Sequence, residues 1–198
     1  MGKRETTKKE NRLTILQAAV KVFATIGYEA STVRDIVRES NLAIGTFYNY
    51  FKDKETILKK VMDHEAREIR FRLKTVRSDS KNARELVRNA YFSFLDVLSR
   101  DPLRLNMIAR NSAAVRSALY QSRQLRSISI ALEHDLQKAV QDNLIPPVRV
   151  DFVSWAMIGA GLEFLIRMAQ NPSYKADDLA DFLTNLFMCG LEKEPNRQ

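Results

Sequence analysis

The sequence predicts an all-α protein in two parts, a small N-terminal head of three helices and a larger helical bundle. Glycine and proline are scarce among the 198 residues, at six and five, which favours long helices. Apolar residues recur at intervals of three and four, and no run shows the strict alternation of a half-buried strand. We place the head at residues 1–56 and the bundle at residues 57–198.

The first two helices of the head carry recognisable start and stop signals. The first is predicted from about Glu10 to Thr25, because its apolar residues fall at helical spacing and Gly27 can end it. The second follows Thr32, whose hydroxyl can cap free backbone N–H groups, with Asp35 three residues later as its capping partner. Ser40 and Asn41 then form a tight turn.

A third helix from Ala43 to about Tyr50 has two unlike sides. At about 100° per residue, Phe47 and Phe51 fall on one side, whereas the opposite side is small and polar. The small and polar set comprises Gly45, Thr46 and Asn49, with Tyr48 on the flank. Such a side can approach a DNA duplex closely and hydrogen-bond to phosphates or base edges. The alternative is a packed three-helix unit with no nucleic-acid role.

Positive charge is concentrated around this head. Residues 1–60 carry twelve Lys and Arg against seven Asp and Glu, a net +5 of the chain's +8. Five of these basic residues lie between Lys3 and Arg12, before the predicted first helix. This tail can attract phosphate or reach into a minor groove, or it can be a frayed, solubilising terminus.

A dense set of residues between Phe23 and Lys54 resembles the DNA-binding head of TetR/AcrR-family transcriptional regulators. The shared residues are Phe23, Gly27-Tyr28, Thr32, Ile36, Leu42, Gly45-Thr46-Phe47-Tyr48, Tyr50-Phe51 and Lys54. The resemblance implies that Thr32, Tyr48 and Lys54 hold phosphates. It also implies that Arg34, Thr46 and Asn49 reach bases. Ala43 and Ile44 depart from the polar residues common in the family, and apolar contact with thymine methyl groups is their natural substitute.

Long helices are predicted for the rest of the chain. The first starts after Asp53, a plausible N-cap, and continues to about Val76, which at 1.5 Å per residue is about 35 Å and enough to connect head and bundle. Proline and polar residues separate those that follow. They are predicted at Ala83–Ser99, Leu103–Ser112, Ala113–Asn143, Asp151–Gln170 and Ala176–Leu191.

The last two helices have heavy apolar faces. The residues alone leave open whether these faces form an ordinary monomer core or an interface between subunits. The family resemblance implies a four-helix interface in a homodimer. Its candidate residues are Phe152, Trp155, Gly159 and Leu162 on one helix, and Leu179, Phe182, Leu183 and Leu186 on the other.

A second candidate site lies in the bundle, where arginine is in excess. Residues 100–126 contain six arginines and a single acid, Asp101. Arginines of this kind can guide an anionic effector towards apolar residues that hold its tail, such as a fatty acid or an acyl thioester. The candidate residues are Phe92, Leu95, Met107, Arg110, Tyr120, Arg123, Trp155 and Phe164. The alternatives are arginines on solvated faces, paired with other acids, or located at the subunit interface.

Other classes of function find little support in the sequence. His64 and His134 are the only histidines, and neither has a carboxylate or cysteine at metal-ligand spacing. Phosphate-binding loops and nucleophile motifs are also missing, so we predict no catalytic residue, no metal and no cofactor. Cys189 is the only cysteine, which precludes an intrachain disulfide. No uninterrupted apolar stretch approaches a membrane span of about 18 residues, and we expect a cytoplasmic protein with no membrane partner.

The combined expectation is a homodimeric repressor that binds a palindromic operator in double-stranded DNA and is released by a small, largely apolar effector. The sequence alone leaves open activation on effector binding, the operator sequence and target genes, and whether two dimers bind one operator. The rival is a basic helical protein that binds membrane surfaces through residues 3–12. That rival accounts for the basic tail but not for the ordered pattern from Phe23 to Lys54.

Overall fold

The computed structural model describes residues 2–191, with the backbone alone at residues 3, 77–79, 119, 120 and 191. Within residues 2–191 the chain is helical with no strand, which confirms the predicted all-α class. The helices are α1 Lys3–Thr25, α2 Val33–Ser40, α3 Ile44–Tyr48, α4 Lys54–Asp79, α5 Ala83–Ser99, α6 Pro102–Arg110, α7 Ser112–Gln121, α8 Arg123–Gln141, α9 Val150–Gln170 and α10 Ala176–Leu191.

The head forms from α1, α2, α3 and the start of α4. Thr32 and Asp35 make the predicted capping box, in which each side chain accepts a hydrogen bond from the other's backbone N–H. Asn41 ends α2 in the left-handed conformation, with φ of 54°, which an asparagine tolerates well. The core of the head includes the buried side chains of Ile15, Ala19, Phe23, Ile36, Phe47, Phe51 and Ile57.

Helix α1 starts seven residues earlier than predicted, at Lys3 rather than about Glu10. The basic residues up to Arg12 therefore lie within a helix, and the prediction that they precede it was wrong. Their lysine and arginine side chains have good helix propensity, and this outweighs the lack of a capping side chain at Gly2.

The bundle surrounds α4, which contacts α5 and α8. Asp53 caps α4 as predicted, since its carboxylate accepts a hydrogen bond from the N–H of Thr56 at 2.7 Å. Helix α6 packs between α1 of the head and α9 of the bundle. It therefore connects the two parts independently of α4.

The predicted long helix from Ala113 to Asn143 is in fact two helices. Ser122 interrupts it with an extended backbone, its hydroxyl accepts a hydrogen bond from the N–H of Leu125, and it donates one to the Asp63 carboxylate at 2.9 Å. Both Ser122 and Asp63 are buried. A distant carboxylate on α4 thus stabilises a break that local helix propensity does not predict.

Helix α9 is the one helix among residues 2–191 that is long and apolar enough to cross a membrane, judged by length and composition. The sequence prediction concerned uninterrupted apolar stretches, and it holds for this helix, because Asp151, Glu163 and Arg167 interrupt it. Core helices pass the same test, and α9 packs against α5, α6 and α8.

Candidate nucleic-acid interface and ligand cavity

The predicted DNA-contacting residues lie on adjoining turns of α2 and α3. Their side chains are mostly solvent-exposed, including Tyr48 at 56% and Ile44 at 47% of its surface. Thr32, Arg34, Ala43, Gly45 and Asn49 are also exposed, whereas Thr46 is half-buried. A row of exposed apolar, small and hydrogen-bonding groups on a short helix can enter a major groove and contact base edges.

Buried aromatic rings fix α3 in this position. The Phe47 ring is buried and meets the Tyr48 ring edge-on, with centroids 5.4 Å apart, and packs on Phe51 at 5.9 Å. The guanidinium of Arg12 in α1 lies over the same Phe51 ring at 5.8 Å. Tyr48 is thus oriented by its ring while its hydroxyl stays in solvent.

The basic start of α1 flanks the recognition helix. The first turns of α1, with Arg4 and Lys8, form a shallow groove together with Asn49 and Tyr50. These exposed cations are therefore next to the exposed row of α3, where a duplex lying against α3 would bring phosphates. The cations lie on a helix rather than on the frayed terminus that was one of the alternatives.

The ammonium of Lys54, to which the resemblance assigns a phosphate contact, is bonded inside the head. Its ammonium donates hydrogen bonds to the backbone carbonyls of Tyr28, Glu29 and Ser31, and lies 4.5 Å from the centroid of the Tyr28 ring. All three of its donors are thus used on the loop between α1 and α2. Lys54 holds the start of α2 in place from within the protein.

The hydroxyl of Thr32 is likewise engaged inside the head. It donates to the Asp35 carboxylate at 2.7 Å and accepts from the Asp35 N–H. These bonds, from the Thr32 side chain first, hold the pKa of Asp35 below its usual 3.8.

Asn111 connects the head to the bundle at the junction of α6 and α7. Its carboxamide oxygen accepts a hydrogen bond from the N–H of Tyr28, and its amide nitrogen donates to the carbonyls of Phe23 at 2.9 Å and Met107 at 2.6 Å. The side chain is buried. Gly27 beside it has φ of +96°, a conformation that favours glycine. We call this contact the Asn111 clasp.

An elongated apolar cavity of about 550 Å³ lies inside the bundle. On α4, residues Met62 to Val76 line it at helical spacing, which gives a length of about 21 Å. Apolar side chains from α5, α8 and α9 form most of the remaining wall. The wall also contains Tyr91, whose hydroxyl donates to the carbonyl of Met157 at 3.0 Å, and burial raises the pKa of this hydroxyl.

Among the residues whose side chains the structure describes, four charged ones line the cavity, namely Glu65, Arg116, Arg126 and Asp135. Glu65 is buried and forms a charge-assisted pair with Arg104 of α6. Arg116 is half exposed and lies 3.9 Å from Glu163. Within the described residues Arg126 makes no ion pair and is exposed.

Most of the predicted effector-binding residues lie away from this cavity. Trp155 lines it. Leu95 and Met107 are fully buried in the core, Phe92 is half-buried, and Phe164 packs on Phe182 with ring centroids 5.6 Å apart. Arg110 and Arg123 are exposed outside the wall, and the side chain of Tyr120 lies outside the described residues. The spacing of apolar residues predicts which faces of the helices are buried. It does not predict between which of these faces a cavity remains.

The head matches a known family of regulators. Residues 15–61 fit the family model described as bacterial regulatory proteins, tetR family. The chain is a TetR-family transcriptional regulator. Over 185 residues, 92% of this chain and 97% of the relative, it is 22% identical to YhgD of Bacillus subtilis, described as an uncharacterised HTH-type transcriptional regulator. Its class is therefore a regulator rather than an enzyme.

Two further similarities concern regulators of fatty acid metabolism. The TetR-family chain is 34% identical over 91 residues to the fatty acid metabolism regulator protein of Bacillus subtilis, which covers 44% of this chain and 47% of the relative. The structure of FadR from Bacillus subtilis with stearoyl-CoA superposes with a TM-score of 0.80 at 22% identity, over 91% of this chain and 99% of that one. The structural likeness shows the fold.

The regulator exposes an apolar face on α9 and α10. Phe152, Trp155, Phe182 and Leu186 are each more than half exposed, at 53–58%. Gly159 adjoins open space, because a Cβ there would meet nothing within 4 Å. Three predicted members of the face, Leu162, Leu179 and Leu183, are instead buried in the chain's own core. These three leucines lie on the opposite sides of α9 and α10, which pack on α5.

Proposed function

We propose that the regulator is a homodimeric repressor that binds a palindromic operator and is released by a small, largely apolar effector. One arrangement carries the proposal. Ile108 and Val115, which line the cavity, flank the Asn111 clasp on α6 and α7. A ligand that fills the cavity would press on the same segment that holds the head. Head position and cavity occupancy would then be linked.

The exposed row on α2 and α3 supports the assignment of DNA contacts. In this proposal Tyr48 binds a phosphate, and Arg34, Thr46 and Asn49 reach base edges. Ala43, Ile44 and Gly45 allow the backbone to approach closely and contact thymine methyl groups. Thr32 and Lys54 contribute by fixing the start of α2, because their donors already have partners inside the head.

The exposed face on α9 and α10 supports the homodimer. Large contiguous apolar patches are uncommon on monomers, and Phe152, Trp155, Phe182 and Leu186 would be buried by the same face of a second copy. Gly159 leaves room for a close approach there. Two recognition helices related by a twofold axis would bind half-sites about 34 Å apart or slightly more.

The shape of the cavity supports an acyl chain as the effector's apolar part. The cavity is about 21 Å long along α4, and its wall is mostly aliphatic and aromatic. FadR of Bacillus subtilis, with the same fold, has been crystallised with stearoyl-CoA. To release the operator, such a ligand needs only to bind one conformation of the dimer more tightly than another. The favoured conformation is the one in which the spacing of the two heads does not match the half-sites.

The test is a mobility-shift assay with the DNA upstream of the gene, beside sedimentation with anionic liposomes. We expect a shifted complex on a segment with an inverted repeat, weakened several-fold by Tyr48→Phe. Phe182→Asp should give a monomer in analytical ultracentrifugation and lose the complex. Sedimentation with liposomes and no specific DNA complex would favour the rival membrane-surface function instead.

A further inference from the structure

We infer that Arg116 and Arg126 bind the anionic head group of the effector, whose apolar chain fills the rest of the cavity. This rests on the proposed function, because it concerns the ligand of the same cavity. Of the six arginines between residues 100 and 126, these two alone line the wall. They lie on neighbouring helices, α7 and α8, on either side of the Ser122 break.

The other arginines of this segment have partners or positions that remove them from the ligand. Arg104 pairs with the buried Glu65, and Arg100 pairs with Asp96 at 2.6 Å. A Cβ at Gly27 would lie 3.5 Å from Nε of Arg110, so Arg110 lies against the head. Arg123 is exposed outside the wall. The segment's excess of positive charge therefore separates into four arginines that lie outside the wall and two that line the cavity.

Both cavity arginines are available for a ligand. Arg126 forms no ion pair among the described residues. Arg116 has only the 3.9 Å approach to Glu163, and Glu163 is already bound by Nε of Arg167 at 2.9 Å. An anion could therefore take Arg116 without leaving Glu163 unpaired. The nearby Ser129, one turn after Arg126, also lines the wall, but its hydroxyl donates to the Arg126 carbonyl at 2.9 Å and is not counted as a ligand donor.

The positions of the acids give the ligand a direction. Glu65 near the arginines is neutralised by Arg104. Asp135, the remaining acid of the wall, lies nine residues after Arg126 on α8, about 13 Å further along the helix. The two arginines thus favour an anionic head at the end near α6 and α7. The chain would extend from the arginines along α4 towards Val76.

This direction brings the head group close to the Asn111 clasp. Arg116 lies on α7, which begins directly after Asn111, and the cavity wall at this end includes Ile108 and Val115. The charged part of the ligand would therefore act where the bundle holds the head. A neutral ligand with the same chain would fill the cavity without this contact.

The experiment titrates the free protein with three probes of equal chain length, namely dodecanoyl-coenzyme A, dodecanoate and dodecan-1-ol. Trp155 is the only tryptophan and lines the cavity. Its fluorescence therefore reports when a probe fills the cavity, and no DNA is needed for the measurement. Wild type should bind the two anions more tightly than the alcohol. Arg126→Gln should weaken anion binding about tenfold, and Arg116→Gln/Arg126→Gln further, with the alcohol unchanged. The two anions distinguish a carboxylate from a phosphate-bearing head.

Arg123→Gln is the matched control, because it removes a positive charge from the same helix outside the cavity. It should leave all three affinities unchanged. The inference is overturned if the double variant keeps wild-type affinity for both anions, or if Arg123→Gln weakens them as much as Arg126→Gln. In either case tight binding of all three probes would leave the proposed apolar effector intact. If no probe binds wild type, the effector and the head-group assignment fail together, while operator binding is judged separately by mobility shift.

Discussion

Lys54 stabilises the DNA-binding head through hydrogen bonds within the protein. Its substitution should therefore change the stability of the head first and DNA binding only indirectly. Its ammonium bonds three backbone carbonyls in the loop before α2. Lys54→Ala should lower the free energy of unfolding by about 2 kcal/mol, because charged hydrogen bonds are lost and carbonyls are left unpaired. DNA affinity should fall as a consequence of the displaced α2.

Tyr48→Phe is the matched comparison for Lys54→Ala. The Tyr48 hydroxyl is exposed, so its loss should weaken DNA binding while the unfolding free energy stays within about 0.5 kcal/mol of wild type. Chemical denaturation and mobility shift measure the two effects. An unchanged unfolding free energy in Lys54→Ala would contradict the internal role of this lysine.

Asn111 is the residue through which cavity and head should be coupled. Asn111→Ala leaves the Tyr28 N–H and the Phe23 carbonyl without this partner, so we expect a loss of about 1–3 kcal/mol in unfolding free energy. Operator affinity should also respond less to a cavity ligand. Asn106→Ala, an exposed asparagine on the same helix, should leave both quantities unchanged. A ligand response in Asn111→Ala equal to that of wild type would contradict the coupling.

Residue-level features that depend on near neighbours in the chain could be predicted from sequence. The capping box of Thr32 and Asp35 and the turn at Asn41 span three residues or fewer, and both are present. The bonds of Lys54 and the two bonds from Asn111 to the head could not be predicted, because they join positions 23 to 88 residues apart. In the sequence, Arg116 and Arg126 are only two members of an excess of positive charge. The packing of the helices determines that these two line the cavity.

At the scale of the helix, the N-terminal caps give the head a dependence on acid. Hydrogen bonds from Thr32 hold the pKa of Asp35 below 3.8, and hydrogen bonds from Thr56 do the same for Asp53. A carboxylate whose pKa is lowered by folding stabilises the protein above pH about 4, and this stabilisation is lost as the pH falls through the lowered pKa.

We therefore expect the unfolding free energy to fall between pH 4 and pH 2 partly because of these two caps. Asp53→Asn keeps a side chain that can cap α4 but removes the titrating group, and Asp35→Asn keeps an amide oxygen that can accept the Thr32 N–H of the capping box. The double variant should show a shallower decline with acid in chemical denaturation. A decline as steep as that of wild type would show that other carboxylates carry the acid dependence.

Most helix boundaries followed from local signals, and the exceptions have identifiable causes. Helices α5 and α10 begin and end as predicted, at Ala83–Ser99 and Ala176–Leu191. The break at Ser122 was missed because its main partner, Asp63, is on another helix. Caps encoded within three residues are visible in sequence, whereas caps supplied by tertiary contacts are not.

At the scale of the whole molecule, the fold places a ligand cavity between two mechanical connections to the head. One is α4, which continues from the head into the cavity wall, and the other is α6 with the Asn111 clasp. The class of regulator could be predicted from the head alone, since its residues lie close together in sequence. The cavity could not, because it depends on how α4, α5, α8 and α9 fail to fill the space between them.

The most direct test of this account follows operator-bound protein during addition of dodecanoyl-coenzyme A, by fluorescence anisotropy of a labelled inverted repeat. We expect release of the operator at ligand concentrations that also change Trp155 fluorescence in the free protein. Filling of the cavity, shown by Trp155, with no change in operator affinity would contradict the link between cavity and head.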